Sequence, residues 1–295
     1  MNSNPVADFH TAITNHGLVV DSHDIYIDKL KRVKTTSDRT EQKSGWYCLF
    51  NNGNDFYCGV YGDWRQSQAH NTWFSKTKLT KHEQQVYQTN LIAYKKKLLQ
   101  EQQNNLIRIK QEWESFKPCK SHPYLDRKQV AAHGNLKIDD RSNLIIPMYD
   151  IQHNLTGYQK ILPSKPQNGT TDKYIASGSK TASSMCFIGL NEDIKLIDCD
   201  LVIIGEGYAT CASVYEALNE ELEAVTYCAI VAFSVNNLEP VVKTIVDTYP
   251  NKSIWLIADN DCSNTTGNNI GVTTCQKIRD KYPNILVYVP HGAQL

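Results

Sequence analysis

The spacing of apolar positions changes along this chain, and each change marks a segment. Residues 1–16 read as a short helix, after which "LKRVKTTSDRTEQKSGWYCLFNNGNDFYCGVYGDWR" reads as short strands joined by turns. "NNGND" between two aromatic-rich runs is a hairpin signal. From about Thr80 to Phe116 Gly and Pro disappear, and Gln, Lys, Glu and Leu dominate, which predicts a long polar helix serving as a connector or arm. The two prolines of "KPCKSHP" stop it. "NLIIPMYDIQHNLTGYQKILPSKPQNGTTDKYIASG" then shows short β-like runs and turn residues, the pattern of an antiparallel meander. After Asp198 the strands "DLVIIGEG", "VTYCAIVAF", "SIWLIAD" and "ILVYV" alternate with helices at Ala209–Asn219, Leu238–Tyr249 and Gly267–Tyr282. That alternation implies a parallel sheet with crossover helices. No internal repeat stands out, and the Gln/Lys-rich helix is the one biased tract.

At 295 residues the chain is long enough for two modest domains or one large one, and 41% hydrophobic content suits a soluble globular protein. It contains no apolar run of about 18 residues, and its first twenty residues lack the basic and apolar blocks of a signal peptide, so a cytoplasmic protein with no membrane partner is expected. Nine cysteines without a C-x-x-C pair support neither a disulfide framework nor a zinc ribbon, and free thiols are expected. The net charge of zero hides a gradient. Residues 1–120 carry 17 basic against 12 acidic side chains, 121–199 carry 9 against 8, and 200–295 carry 5 against 11. One end suits polyanions and the other cations.

"IWLIADND" drives an apolar run into two aspartates one residue apart. In open parallel sheets the functional crevice lies at the carboxyl ends of the strands, and Glu206 of "IIGEGYAT" with Asp259 and Asp261 all fall at such ends. Alternate residues of an extended segment point to one side roughly 6.5 Å apart, so Asp259 and Asp261 can converge on one cation, joined by Glu206 if its strand is a neighbour. Three carboxylates repel one another unless a cation lies between them, and magnesium or manganese takes such oxygen ligands together with substrate phosphates. Gly205 and Gly207 flank the glutamate, where missing side chains allow a sharp turn and the close approach of a phosphate or strand. The same acidic residues also fit solvated turns or helix caps, and spacing alone does not choose between the readings.

In the amino-terminal block, Lys29, Lys31, Arg32, Lys34 and Arg39 lie beside Trp46, Tyr47, Tyr57, Tyr61, Trp64 and Trp73. Cations interleaved with rings suit single strands of nucleic acid, and equally suit a small sheet with an aromatic core and a wet face. Cys211 sits at a helix start, where its thiol pKa is lowered if the helix dipole acts, or where it packs as a small side chain. His122 and His133 have no partner at ligand spacing.

"LVIIGEGYATCASVYEAL" followed about fifty residues later by "SIWLIADND" resembles the TOPRIM domain shared by bacterial-type primases, type IA and II topoisomerases and some nucleases. The EGyAT form is similar to that of primases carried by plasmids, phages and mobile elements. Upstream, Arg141, Asp150, Gly157, Lys160, Lys173 and Tyr174 stand at positions similar to the segment that precedes TOPRIM in bacterial replicative primases. "LKRVKTTSDRTEQKSGWYCLF" and "GVYGDWR" resemble the amino-terminal module of conjugative-plasmid primases, so the likeness covers most of residues 28–290. Two departures stand out. Cys48 and Cys58 have no paired partners for the zinc module of replicative primases, and the chain stops at "VPHGAQL" before the further acidic segment the family usually carries.

The resemblance implies an α+β amino-terminal part followed by an α/β TOPRIM domain with a Rossmann-like central parallel sheet. It divides the chain into a basic, aromatic nucleic-acid-binding module (1–79), a helical connector (80–120), an antiparallel primase-core subdomain (121–198) and a metal-binding catalytic domain (199–295). It further implies synthesis of short RNA primers on a single-stranded DNA template by two-metal nucleotidyl transfer. Glu206, Asp259 and Asp261 would hold Mg2+ or Mn2+, with no zinc, while Arg141, Lys160, Lys173, Gly205 and Gly207 would meet nucleoside triphosphates or the nucleic-acid backbone. A replicative helicase or a single-strand-binding protein is the further partner this implies. The alternatives are a TOPRIM metal-dependent nuclease and a non-catalytic single-stranded DNA-binding replication adaptor. A topoisomerase is disfavoured, because nothing resembles its tyrosine-bearing cleavage domain.

Overall fold

Helix α1 (Pro5–Asn15) begins at Asn4, whose Oδ1 accepts from the Val6 amide at 3.1 Å, and at Pro5, whose missing N–H costs nothing in a first turn. The computed structural model describes residues 4–38, 43–53, 55–63, 71–76, 80–167, 171–221, 225–260 and 269–290, leaving aside the side chains at 94, 95, 97, 98 and 220. Two compact units, Met1–Gln100 and Glu101–Leu295, divide the chain. The architecture is mixed α and β, with three five-stranded sheets among the described residues.

In the first unit β1 (Leu18–Val19), β2 (Lys31–Thr35), β3 (Gly45–Asn51), β4 (Tyr57–Asp63) and β5 (Asn71–Phe74) pair antiparallel in sequence order. The turn expected at "NNGND" joins β3 to β4, with Gly53 and Asp55 at positive φ. Helix α1 buries Phe9 and Ile13 against Leu18, Tyr47 and Leu49. A Cβ on Gly59 would fall 2.1 Å from the Phe9 ring, so only glycine lets the helix lie this close to β4. Phe9 also meets Tyr47 and Tyr61 edge-on at 6.0 Å and Trp73 at 5.3 Å. Tyr47, Tyr57, Tyr61 and Trp73 therefore belong to the core of this sheet rather than to a row of free stacking rings. Trp46 is half-buried, and Arg39 and Trp64 lie outside the described residues.

Helix α2 (Lys81–Ser115) runs 35 residues, close to the span predicted from its lack of Gly and Pro, and crosses the boundary between the units. Thr80 Oγ1 accepts from the Glu83 amide at 3.2 Å while Glu83 Oε2 accepts from the Thr80 amide at 2.8 Å, a reciprocal capping box. Lys76 pairs with the same carboxylate at 2.8 Å. These contacts, Lys76 first and Thr80 second, bring the Glu83 pKa from 4.5 down to about 2. Farther along, Ile109 is fully buried against Ile145, Leu155 and Tyr158.

The second unit continues with β6 (Lys117–Pro118), α3 (Pro123–Lys128), β7 (Lys137–Ile138), β8 (Leu144–Tyr149), β9 (Leu155–Ile161) and β10 (Lys173–Ile175), whose strands form the antiparallel sheet β10-β9-β8-β7-β6. It ends with β11 (Cys186–Ile188), β12 (Leu201–Gly205), α4 (Tyr208–Glu221), β13 (Tyr227–Val231), α5 (Val235–Thr248), β14 (Ser253–Ile257), α6 (Ile270–Lys281) and β15 (Ile285–Tyr288). The third sheet has the order β11-β13-β12-β14-β15, with β13, β12, β14 and β15 parallel and β11 antiparallel at the edge. Leu201 and Ile203 pack with Tyr208, Cys211 and Ala212 of α4, while Val202 and Ile204 pack with Leu238, Val241 and Ile245 of α5 and Ile278 of α6. Cover on both faces is why this strand reads as an unbroken apolar run. Gly205 ends it, and a Cβ there would lie 2.8 Å from Cys211 Sγ, so this glycine sets how near α4 lies to the sheet.

Gly205→Ala is expected to lower stability by about 1–3 kcal/mol through overpacking, read as a lower urea midpoint. Because the other neighbours of that Cβ lie at 3.7 Å or beyond, Cys211→Ala in the same chain should return part of the loss, and strict additivity in the double-mutant cycle would refute the contact. The Glu83 contacts stabilise the start of α2 at pH values above about 4.5, and that contribution is lost as pH falls towards about 2. The 13Cα shifts of residues 80–85 should report fraying over this window, and Glu83→Gln should remove the dependence.

Candidate active site

Parallel pairing sets Gly205 of β12 opposite Ile257 of β14. Glu206 is the next residue beyond the first strand, and Asp259 lies two beyond the second. Neighbouring strands run about 4.8 Å apart, so the two carboxylates leave adjacent strand ends on the carboxyl rim, where a crossover sheet opens its crevice. The backbone around Glu206 is held by the two residues that follow β13: the Phe233 amide donates to the Glu206 carbonyl and the Ala232 amide to the Gly205 carbonyl, each at 2.8 Å. Phe233 takes φ +67° to do so, an uncommon conformation for a bulky residue.

Asp259 is oriented by α4. Thr210 Oγ1, in the first turn of that helix, donates to Asp259 Oδ1 at 2.9 Å. Oδ2 faces Gly207, where a Cβ would stand 3.8 Å away, in ordinary contact. The two glycines around Glu206 thus differ: Gly205 is required by packing, whereas Gly207 leaves the carboxylate uncovered. From the other side a Cβ on Gly271 would fall 2.5 Å from the Asp259 carbonyl, so the first turn of α6 passes directly over this backbone. Asn269 caps α6 by accepting from the Val272 amide at 3.0 Å, and donates to Asn260 Oδ1 at 2.7 Å. Asn260 in turn donates to the Pro290 carbonyl at 3.1 Å.

Both carboxylates act on the buried thiol of Cys275, which burial pushes up to about 12 with the charges of Asp259 and Glu206 adding to it. Burial also raises the Cys211 thiol, with Asp259 next in effect, so desolvation outweighs any lowering by the helix start and Cys211 is a packed side chain. Asp261 lies outside the described residues. Among the described residues no group of three His, Cys, Asp or Glu side chains stands at ligand range, so the described part of the acidic constellation is the pair Glu206 and Asp259.

The basic residues divide. On the antiparallel sheet Lys173 pairs across from Ile161, and Tyr174 pairs across from Lys160. Directly opposed residues share a face, so the two lysines leave opposite faces. Lys173 is exposed, with Nζ 5.7 Å from the centre of the Tyr124 ring. Lys160 lies on the face of Ile145 and pairs with Asp139 at 3.6 Å. Burial pushes the Asp139 carboxyl up, but hydrogen bonds from Asn143 and the Arg141 amide, with the charge of Lys160, outweigh it and hold the group below its usual range. Arg141 is exposed in the β7–β8 turn.

Sequence reasoning missed Thr210, Tyr124 and Arg127. Tyr124 is buried, and burial raises its hydroxyl to about 12 in spite of a hydrogen bond with the Ala209 backbone in the first turn of α4. The Arg127 guanidinium lies 5.8 Å from the same ring and pairs with Asp172 at 3.2 Å. Two cations therefore flank a ring whose hydroxyl reaches the helix start beside Asp259. The histidines left without a role have structural ones. His122 Nδ1 accepts from the Tyr124 amide at 3.1 Å, so its Nε2–H donates to the Ser142 carbonyl at 2.9 Å. His133 Nε2 lies 2.6 Å from Glu216 Oε1 on α4, and its backbone exchanges two hydrogen bonds with the Tyr208 hydroxyl. One sequence signal was open to use: a hydroxyl four residues after Glu206 on a helix start.

No protein-family profile matches the chain. Among solved structures, the RNA polymerase domain of the Mycobacterium tuberculosis primase DnaG is 16% identical, with a TM-score of 0.34, covering 57% of this chain and 55% of that one. A stretch of 152 residues, half of this chain, is 31% identical to a DNA primase TraC of Escherichia coli, of which it covers 10%. A second TraC is 27% identical over 286 residues, and the chain spans about a quarter of its length. Across 92% of its own residues, this chain is similar to the DNA primase TraC of Escherichia coli.

Proposed function

We propose that the chain is the TOPRIM-containing catalytic part of a primase, joining ribonucleotides into short primers on a single-stranded DNA template during replication of a plasmid, phage or mobile element. The observation that carries this reading is the pair of carboxylates on adjacent parallel strand ends, Glu206 beyond β12 and Asp259 beyond β14. Similarity to DNA primase TraC along nearly the whole chain supports the same reaction class.

The residues fit a hard divalent cation. All the described donors are carboxylate oxygens, Asp259 Oδ2 faces a position without a side chain, and the two nearby thiols are kept protonated by burial. Magnesium is commonly held by one or two carboxylates with substrate phosphates completing the shell. Glu206 and Asp259 would hold Mg2+ or Mn2+, with Asp261 as a third ligand. A bound ion supplies neutralisation of the triphosphate and activation of the attacking 3′-hydroxyl. The chain's own contribution is orientation: Thr210 fixes one oxygen of Asp259, the Phe233 amide fixes the Glu206 backbone, and Gly207 leaves room for a phosphate. Lys173 and Arg127 stand on the Tyr124 side of the helix start and would meet the phosphates, and the exposed Arg141 would meet the triphosphate or the nucleic-acid backbone. Lys160, tied to Asp139 on the other face, would serve the sheet instead.

The test combines single-stranded oligonucleotides, labelled ribonucleotides and Mg2+ or Mn2+. Short labelled products mark synthesis, a shortened template marks a nuclease, and neither marks an adaptor. Asp259→Ala and Glu206→Gln should each abolish product while leaving single-strand binding within about twofold, since neither removes a phosphate-binding cation. Thr210→Val should lower the rate about tenfold, the effect of losing one hydrogen bond to a charged group. Unchanged product from Asp259→Ala would overturn the assignment.

A further inference from the structure

An open cavity of about 620 Å3 lies at the β11 edge of the third sheet, where the β8–β9 turn meets it. One wall is aromatic. His153 holds φ +62° in that turn and stacks on Phe187 of β11, with ring centres 4.3 Å apart and planes 26° from parallel, while Tyr149 lies 6.4 Å from both rings. The turn is fixed by Asp150, whose carboxylate accepts from the amides of Gln152 and Asn154 and from the Asn154 side chain, so the histidine is delivered to the stack by local geometry. Phe187 is buried and His153 exposed, which leaves the outer face of the imidazole to solvent.

Two uncharged amides, Asn135 and Asn191, belong to the same lining. Asn191 Oδ1 is occupied by the amides of Asp193 and Ile194, which leaves its NH2 as a donor. Asn135 Nδ2 points to the Tyr149 hydroxyl at 3.4 Å, which leaves Oδ1 as an acceptor. Among the described residues no Asp, Glu, Lys or Arg lines the cavity. The covered face of the ring, against Phe187, holds the His153 pKa below its ordinary value despite Asp150, which favours the neutral imidazole. Such a lining suits a flat, neutral heterocycle with both donors and acceptors on its edge.

We propose that this cavity binds one unpaired nucleobase of a single strand, stacked on His153 and read at its edge by Asn135 and Asn191. Base–aromatic stacking tolerates any base, while the two amides favour one edge over another. The site lies at β11, on the far side of β13 from Glu206, so it would hold the strand away from the reacting end. The proposal rests on the single-strand-binding part of the reading above.

The probe is a short oligothymidylate with one 2-aminopurine, moved along the strand position by position. One position should lose fluorescence on binding, as stacking quenches the base. His153→Asn keeps a residue that tolerates positive φ but removes the ring, and should weaken quenching and affinity by about tenfold, the size of one stack. His153→Phe, which keeps a stacking ring but fits positive φ less readily, should return part of both, and Asn191→Ala should change the preference among bases at that position. Quenching and affinity unchanged in His153→Asn would overturn the proposal. Ribonucleotide incorporation is scored separately: base stacking without incorporation would sink primer synthesis alone, and incorporation with a His153-independent signal would sink the cavity alone.

Discussion

Five successive partners, from Leu201–Ser253 to Gly205–Ile257, lock β12 and β14 in one parallel register. A slip of one residue would turn every side chain of a strand to the other face, and a slip of two would part Glu206 from Asp259 by about 7 Å along the strand. The register is enforced because both faces of β12 are filled, by α4 on one side and by α5 and α6 on the other. The hydrophobic core thus sets where the two acidic residues leave their adjacent strand ends.

That arrangement was substantially legible in the sequence. Continuous apolar runs ending at Glu206 and Asp259, spaced by crossover helices, pointed to strands covered on both faces and to acidic groups at one rim. The long helix after Thr80 was legible for a simpler reason: its capping box and its lack of Gly and Pro are local. The hairpin at "NNGND" was local too.

Less was legible where a side chain's role depends on a distant partner. Thr210 reaches Asp259 across 49 residues, and His133 reaches Glu216 across 83. No spacing rule finds such pairs. The basic residues of the meander show the same limit from the other side. Lys160 and Lys173 looked equivalent as charges in sequence, and strand parity sends them to opposite faces. The aromatic residues of the first sheet were ambiguous because a ring at a strand position satisfies either a core or a ligand. Phe9, on a separate helix, decided the matter by filling the space that Gly59 leaves.

Gly271 gives α6 a mechanical role. Its missing side chain lets the helix bear directly on the Asp259 carbonyl, so α6 packs the backbone under that carboxylate while Thr210 of α4 holds the side chain. Cys275 and Ile278 anchor the same helix in the core, and Asn269 ties its first turn to Asn260. The Asp259 backbone is thus clamped between two helices that approach from different parts of the chain, and its place is set by packing that involves no charge at all.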